Sequence, residues 1–117
     1  MNQKEVLVID DNQVTRDALK MILEEEGFTV NGCASGRSAL DLTKEKRFGI
    51  YLIDYRMPEM NGDAVTAKLR KLHPDSFIIG FSLEHKEQNF LAAGADKFII
   101  KDRLDKELIQ LIKKRKH

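Results

Sequence analysis

The chain alternates short apolar runs with longer segments whose apolar residues recur every three or four positions. Continuous apolar runs bounded by turn residues are typical of strands buried on both faces of a parallel sheet. We predict five such strands, at residues 6–9, 28–30, 50–54, 77–81 and 97–100. The third run leads directly into Asp54, which places a carboxylate at the carboxyl end of a buried strand.

Helical spacing marks the segments between and after these strands. Gly27 is expected to end the first helix and Ser35 to cap the second, which extends to Lys46. We predict the third helix at 62–72, the fourth at 84–93 and the last after residue 102. The expected apolar faces are Val14, Ala18 and Ile22 with Leu19 and Leu23 beside them, then Ala39, Leu40 and Leu42, then Val65, Leu69 and Leu72, and finally Leu104, Leu108, Leu111 and Ile112.

Five strand-helix alternations with short connections predict an α/β domain, a doubly wound parallel sheet with helices on both faces. The 117 residues are enough for one such domain, which we expect to span 1–117. With 20 basic and 19 acidic residues the chain is near neutral, so its charge does not favour nucleic acid or a membrane as the partner. No apolar run approaches the roughly 18 residues of a membrane span, and we expect a cytoplasmic protein.

Cysteine and histidine add little chemistry. The single Cys33 excludes an internal disulfide and fits a reducing compartment, where it is expected to be a small buried apolar residue. His73, His85 and His117 lie far apart in the sequence, which makes a zinc site improbable.

Polar residues follow four of the predicted strands. Asp10 and Asp11 come after the first, Asp54 after the third, Ser82 after the fourth and Lys101 after the fifth. The carboxyl ends of parallel strands face one rim, where such sheets bind ligands. If the first and third strands are neighbours, at about 4.8 Å, three carboxylates crowd together there.

Crowded carboxylates resist ionising together unless a cation compensates them. Mg²⁺ takes oxygen ligands, attracts a phosphoryl group and neutralises charge during its transfer. Asp54 is then a candidate nucleophile, with Ser82 and Lys101 as contacts for phosphoryl oxygens. Taken singly, Asp10 and Asp11 are also explained as a turn and helix cap, and Ser82 as a cap of the next helix.

The chain resembles the receiver domain of two-component response regulators, of the kind found in chemotaxis regulators, over essentially its whole length. The motifs that carry the resemblance are Val-Leu-Val-Ile-Asp10-Asp11, Asp54-x-x-Met57-Pro58-x-Met60-x-Gly62, Ser82 after the fourth strand, and Ala93-Gly-Ala-Asp-Lys-Phe98-Ile-Ile-Lys101. The resemblance implies a flavodoxin-like strand order, 2-1-3-4-5. It also implies a phosphoprotein in phosphorelay signal transduction, not an enzyme with a separate substrate.

The resemblance further assigns roles at the metal site. Asp54 is implied as the phosphoacceptor, charged by a sensor histidine kinase or a phosphotransfer protein. Asp11, Asp54 and the backbone carbonyl of Arg56 are implied as Mg²⁺ ligands, with Asp10 helping through water.

Three further residues are implied to read the phosphoryl group. Ser82 and Lys101 hold its oxygens, and Phe98 follows the movement of the Ser82 hydroxyl. The face of helix four, strand five and helix five then transmits the change to an output partner or attached output domain whose identity is open.

The sequence departs from the family pattern at three places. Asp102 replaces the usual proline after Lys101, so we expect a trans peptide bond there and Asp102 as a cap of the last helix. Leu83 is bulkier than the family's small residue, and an ion pair between Arg56 and Glu84 is expected to arch over the site and prolong the life of the acyl phosphate. The segment 82–101 is about one helical turn short, so helix four or its leading loop must absorb the loss.

Two alternatives remain open. The first is a receiver-like interaction module that works without phosphate, an alternative that Leu83, Asp102 and the shortened helix four leave open. The second is a phosphatase with an aspartyl nucleophile, although Arg56 occupies the place where such enzymes typically have a second acid. The chain is either a stand-alone regulator or the receiver of a longer protein.

Overall fold

A computed structural model of the chain describes residues 2–115 and builds them around one parallel sheet. The strands are β1 (Asn2–Ile9), β2 (Thr29–Cys33), β3 (Phe48–Asp54), β4 (Phe77–Ser82) and β5 (Lys97–Ile100). The helices are α1 (Gln13–Glu25), α2 (Gly36–Thr43), α3 (Gly62–Leu72), α4 (Glu87–Ala93) and α5 (Leu104–Lys113), and a 3₁₀ turn at Lys101–Arg103 precedes α5. The strand order is β2-β1-β3-β4-β5, which confirms the predicted fold. His117, named in the zinc argument, lies outside the described residues.

The central strand β3 is buried along its whole length. Its alternate side chains enter two apolar clusters on opposite faces of the sheet. One cluster joins Leu52 to buried residues of α1 and α5, and the other joins Ile53 to α2, α3 and α4. The helices therefore cover both faces and leave the carboxyl edge of the sheet open.

The predicted apolar face of the first helix is right for Leu19 and Leu23 but wrong for Val14 and Ala18. Val14 is 78% exposed and Ala18 is also exposed, whereas Leu19 and Leu23 are buried against the sheet. Periodicity identifies the apolar rows of a helix but does not determine how the helix is rotated against its neighbours. Here Phe28 joins the cluster that contains Leu19 and Leu23, so this row faces inward.

The third helix has the predicted bounds, but Leu72 is 49% exposed. The residue buried one turn beyond Leu69 is His73, whose Nε2 lies 3.0 Å from the Thr43 carbonyl oxygen. The i, i+4 spacing of Leu69 and His73 continues the buried row, which leaves Leu72 at its margin. The second helix stops at Thr43 instead of Lys46, and two tight turns follow in which the Lys44 and Glu45 N–H groups donate to carbonyls three residues back.

The fourth helix begins at Glu87, three residues later than predicted. The Ser82 hydroxyl accepts the Glu84 N–H at 3.0 Å, and the Lys86 N–H donates to the Glu84 carbonyl at 2.9 Å. These bonds hold a tight turn in which the helix cannot start. Gly94 ends α4 with a φ of 110°, as expected for a left-handed glycine cap.

The remaining differences lie at element ends. β1 starts at Asn2 and β2 runs to Cys33, so each strand extends into polar residues beyond its apolar run. Asp102 lies inside the 3₁₀ turn, and α5 begins without a side-chain cap, so the predicted cap by Asp102 is wrong. The Lys101–Asp102 peptide is trans. None of the helices within residues 2–115 has the length and apolar character needed to cross a membrane.

Candidate functional site

Three carboxylates meet at the carboxyl edge of the sheet, next to the central strand. Ile9 pairs with Ile53, so Asp10 and Asp54 leave adjacent strands side by side. One carboxylate oxygen from each of Asp10, Asp11 and Asp54 lies within 4.8 Å of the others. The structure thus brings together the acidic residues that the strand ends pointed to, two of them buried and Asp11 exposed.

The buried carboxylate of Asp10 indicates most clearly which ligand this pocket can bind. Its side chain is buried, and its Oδ1 accepts the Asn12 N–H at 2.9 Å. Its Oδ2 is also buried but receives no hydrogen bond within the described chain, although the Lys101 Nζ lies 3.6 Å away. A buried carboxylate oxygen without a donor is costly. With Asp11 and Asp54 beside it, that oxygen fits a hard divalent cation, directly or through a water molecule.

The charge balance at the pocket is unfavourable without a cation. Burial, followed by the negative charge of Asp10, raises the pKa of Asp54 to about 7, and the nearby Lys101 only partly opposes this. Burial also raises the pKa of Asp10. Both shifts indicate that the protein pays an electrostatic cost for placing these carboxylates together, which a bound cation reverses.

Ser82 and Lys101 flank the pocket from the next two strands. Ser82 is buried at the end of β4, one position beyond Phe81, which pairs with Asp54. Because the Ser82 Oγ accepts the Glu84 N–H, its own hydrogen remains able to donate to a bound oxyanion. Lys101 is half-buried and its ammonium reaches toward Asp10 from the end of β5.

Arg56 and Glu84 form the expected ion pair at this edge. The guanidinium donates two parallel hydrogen bonds to the carboxylate, Nε to Oε1 at 2.6 Å and NH2 to Oε2 at 2.9 Å. These bonds lower the pKa of Glu84. Leu83, between Ser82 and Glu84, is largely exposed. The pair joins the loop after Asp54 to the loop after β4, while its effect on access to the pocket stays a prediction.

An aromatic row behind the site was missed by the sequence reasoning. Tyr55 meets Phe90 edge-on at 6.0 Å between ring centroids, and Phe90 lies 5.8 Å from Phe98. A side chain on Gly80 would collide with the Phe90 ring, so the ring seats directly on the β4 backbone. An isolated glycine within an apolar strand run is the signal that could have revealed this close approach.

Gly62 holds the loop after Asp54 close to the strand. Its N–H donates to the Tyr55 carbonyl at 2.7 Å, and any side chain there would collide with the Asp54 carbonyl oxygen. The segment from Asp54 to Gly62 therefore closes as a compact loop, in which Glu59 adopts a φ of 69°. Backbone contact therefore requires glycine at position 62.

A doubly wound sheet whose carboxyl edge gathers three carboxylates, a hydroxyl and a lysine defines a class of single-domain α/β proteins with an acidic ligand pocket. A model of the response regulator receiver domain matches residues 6–113, and the chain belongs to this family. The family resemblance drawn from the motifs is confirmed.

Three relatives illustrate the similarity. The transcriptional regulatory protein SrrA of Staphylococcus aureus is 34% identical over 112 residues, which are 93% of this chain and 46% of SrrA, so the chain spans about half of that relative. A CheY-like receiver domain protein from Methanospirillum hungatei is 33% identical with a TM-score of 0.88, covering 94% of this chain and 90% of its own. The response regulator TrrA of Thermotoga maritima, solved in complex with Mg²⁺-BeF, is 29% identical with a TM-score of 0.88, covering 95% and 97% of the two chains.

Proposed function

We propose that this receiver domain is a phosphoacceptor signalling switch in which Asp54 accepts a phosphoryl group with the help of Mg²⁺. The observation that carries the proposal is the buried Asp10 oxygen without a donor, beside two further carboxylates whose oxygens lie within 4.8 Å. That arrangement is unfavourable in itself and becomes favourable around a divalent cation. The T. maritima relative was solved with Mg²⁺-BeF, which supports the same cofactor here.

The proposed metal ligands are Asp11, Asp54 and the backbone carbonyl of Arg56, with Asp10 acting through water. These are oxygen donors, as Mg²⁺ requires. When bound, the ion supplies positive charge that compensates the carboxylates and the incoming phosphoryl oxygens. We infer that ionised Asp54 becomes the dominant form at neutral pH once this charge is present.

The proposed reaction uses the chain's own groups. An Asp54 carboxylate oxygen attacks the phosphorus of a phosphohistidine on a sensor histidine kinase or phosphotransfer protein. The P–N bond breaks, and its electron pair stays on the histidine nitrogen, which is protonated so that the histidine leaves as neutral imidazole. The phosphoryl group is then held on Asp54 as an acyl phosphate. The Lys101 ammonium compensates the negative charge of the phosphoryl oxygens, and the Ser82 hydroxyl donates a hydrogen bond to them. Both groups reach the phosphoryl group from neighbouring strand ends.

The proposed response runs from Ser82 to the surface. A Ser82 hydroxyl drawn toward the phosphoryl group changes its bond to the Glu84 N–H, and thereby the turn before α4. Phe98 of β5 packs on Phe90 of α4, so Phe98 shifts when the turn before α4 changes. The surface of α4, β5 and α5 then presents a different face to the output partner or attached output domain. The proposed output includes control of transcription, because the relative SrrA is a transcriptional regulatory protein.

The ion pair over the pocket is proposed to control water. Arg56 and Glu84 bridge the two loops that border Asp54, and Leu83 adds bulk beside them. We infer that water reaches the acyl phosphate from this side. We infer that the bridge slows hydrolysis and lengthens the phosphorylated state.

The site at the start of α1 is suited to the donor protein. Val14 is 78% exposed and Met21 is 67% exposed, two turns apart on a helix that begins beside Asp11. Contiguous exposed apolar side chains mark surfaces for protein contact, and Ala18, which is also exposed, lies between these two on the same helix face. We infer that the donor packs on this face.

We also infer that the domain, spanning 1–117, acts in the cytoplasm.

The test is incubation of the intact chain with a small phosphodonor, with and without Mg²⁺, followed by native-state intact mass. We expect a gain of one phosphoryl group per chain that requires Mg²⁺, and no gain for Asp54→Asn. Absence of any gain on a folded chain contradicts the proposal and favours the interaction module that works without phosphate. Sustained turnover of a generic phosphate ester would favour the phosphatase instead.

A further inference from the structure

A groove on the far side of the loop after Asp54 is not used by the proposed switch. It lies between α2 and α3, has a volume of about 600 Å³, and is closed at one end by Pro58 and Met60. This volume is within the range of about 300–1,000 Å³ typical of ligand pockets. Its walls carry apolar side chains low down and charged side chains at the rim.

The groove is held open by contacts at both ends of its two helices. At the amino ends, Gly36 lies so close to Val65 that a side chain on Gly36 would press into it. At the carboxyl ends, the His73 ring lies 3.0 Å from the Thr43 carbonyl oxygen. The two walls are therefore fixed relative to each other, and the groove needs little rearrangement before it binds a partner.

The rim carries more positive than negative charge. Its four cationic side chains, Arg37, Lys44, Lys68 and Lys71, face two acids, Asp41 and Glu59. Lys44 pairs with Asp41 at 3.5 Å, whereas no ion pair among residues 2–115 involves Arg37, Lys68 or Lys71. In a chain whose net charge is only +1, three unpaired cations around one groove are a local concentration.

The floor of the groove is apolar. Leu40 and Met60 are half-buried there, and Leu72 is 49% exposed at the edge. An apolar strip between two cationic walls matches a ligand with an apolar stripe flanked by acids. Arg37 and Lys44 are seven residues apart, about 10 Å along α2, a spacing that suits acidic groups two turns apart better than one small anion.

We propose that this groove is a docking site for a short acidic amphipathic helix from a protein partner. The helix lays its apolar stripe on Leu40, Met60 and Leu72 and directs acidic side chains to the rim, in the manner of helix-in-groove recognition. Cations are present on both walls, and those of the α2 wall are about two turns apart, which favours a helix over a small amphiphilic anion. This site is separate from the surface of α4, β5 and α5.

The first experiment is selection on the intact chain from a displayed library of helical peptides of roughly 14 residues, about four turns. Leucine is kept at i, i+3, i+4 and i+7, and the flanking positions vary among Glu, Gln and Lys. We expect enrichment of Glu on both flanks. Enrichment of Gln or Lys, or no enrichment over a chain-free control, overturns the proposal.

The second experiment measures one enriched peptide by fluorescence anisotropy. The doubly reversed variant Lys68→Glu/Lys71→Glu should bind at least about tenfold more weakly, because lost attraction becomes repulsion. The matched control Lys20→Glu/Lys106→Glu changes two exposed lysines outside the groove and should bind within about twofold of the native chain. Equal weakening of both variants overturns the proposal.

Location is read from backbone amide NMR shifts of the native chain during the same titration. Shifts concentrated on α2, α3 and the loop 58–60 support the groove, and shifts centred on another face overturn it. Circular dichroism and an unfolding curve show that each variant is folded. Titration with decanoate tests the alternative occupant, a small amphiphilic anion. If decanoate saturates the groove and no peptide binds saturably, the groove binds a small amphiphile, which contradicts a helical partner.

Discussion

The acidic pocket has one clear energetic consequence: we predict that the Asp54 carboxylate destabilises the metal-free fold. Burial and Asp10 raise the pKa of Asp54 from 3.8 to about 7. Each pKa unit corresponds to about 1.4 kcal/mol, so ionising Asp54 in the folded state costs at most about 4 kcal/mol. Asp54 is 8% exposed, so screening by solvent reduces this figure only in part. Asp54→Asn keeps the shape and removes the charge.

The pH dependence follows from the direction of the shift. A carboxyl whose pKa is higher in the folded state holds its proton more tightly when folded. The cost of ionisation is therefore fully present above about pH 7, declines as the pH falls, and is gone below the unfolded value of 3.8. We expect Asp54→Asn to unfold at a higher urea concentration than the native chain at about pH 8.5 without Mg²⁺, by about 1–4 kcal/mol, and the gap to close near pH 3.5.

A matched control removes a carboxylate elsewhere. Asp17→Asn changes an exposed residue of α1, and its stability should stay within about 0.5 kcal/mol of the native chain. Saturating Mg²⁺ should stabilise the native chain by about 2.7 kcal/mol at a hundred times its dissociation constant and stabilise Asp54→Asn less. If Asp54→Asn is no more stable than the native chain at about pH 8.5 without Mg²⁺, the electrostatic account of the pocket is refuted.

Three other predictions concern the metal, the ion pair and the aromatic row. Asp11→Ala should lose most of the Mg²⁺-induced rise in unfolding midpoint, as seen by differential scanning fluorimetry; a full rise would remove Asp11 from the ligand set. Arg56→Ala and Glu84→Ala should each speed loss of the phosphoryl group, followed by mass spectrometry after the donor is removed, because the two bonds at 2.6 and 2.9 Å bridge the loops over the site; an unchanged rate contradicts the proposed shield. Gly80→Ala should destabilise the fold by about 1–3 kcal/mol in urea, because a methyl group there meets the Phe90 ring, and a neutral result would mean that the ring relaxes freely.

The sheet and the carboxylate cluster were predictable because both depend on short-range signals. Apolar runs locate the strands, and the first residue after each run is at the rim whatever the rest of the chain does. Asp10 and Asp54 meet because Ile9 pairs with Ile53, a register that buried strands on a shared core impose. The Arg56–Glu84 contact was predictable for the same reason, since each residue lies two positions beyond a strand end.

What could not be predicted depends on how helices are rotated and how turns compete with them. The row of α1 that faces the sheet is chosen by packing with Phe28, so Val14 and Ala18 fall outside. The start of α4 is delayed by a hydrogen bond from the Glu84 N–H to Ser82, a choice that helix propensity does not contain. The first outcome is decided by packing against the sheet, and the second by a hydrogen bond between residues only two positions apart that competes with the start of the helix.

The most direct test of the central claim is chemical location of the phosphoryl group. The intact chain is phosphorylated with a small donor and Mg²⁺, the acyl phosphate is reduced with borohydride, and the peptides are sequenced by tandem mass spectrometry. We predict homoserine at position 54, formed only when Mg²⁺ and the donor are both present. Homoserine at any other carboxylate, or none from a folded and phosphorylated chain, would contradict the assignment of Asp54 as phosphoacceptor.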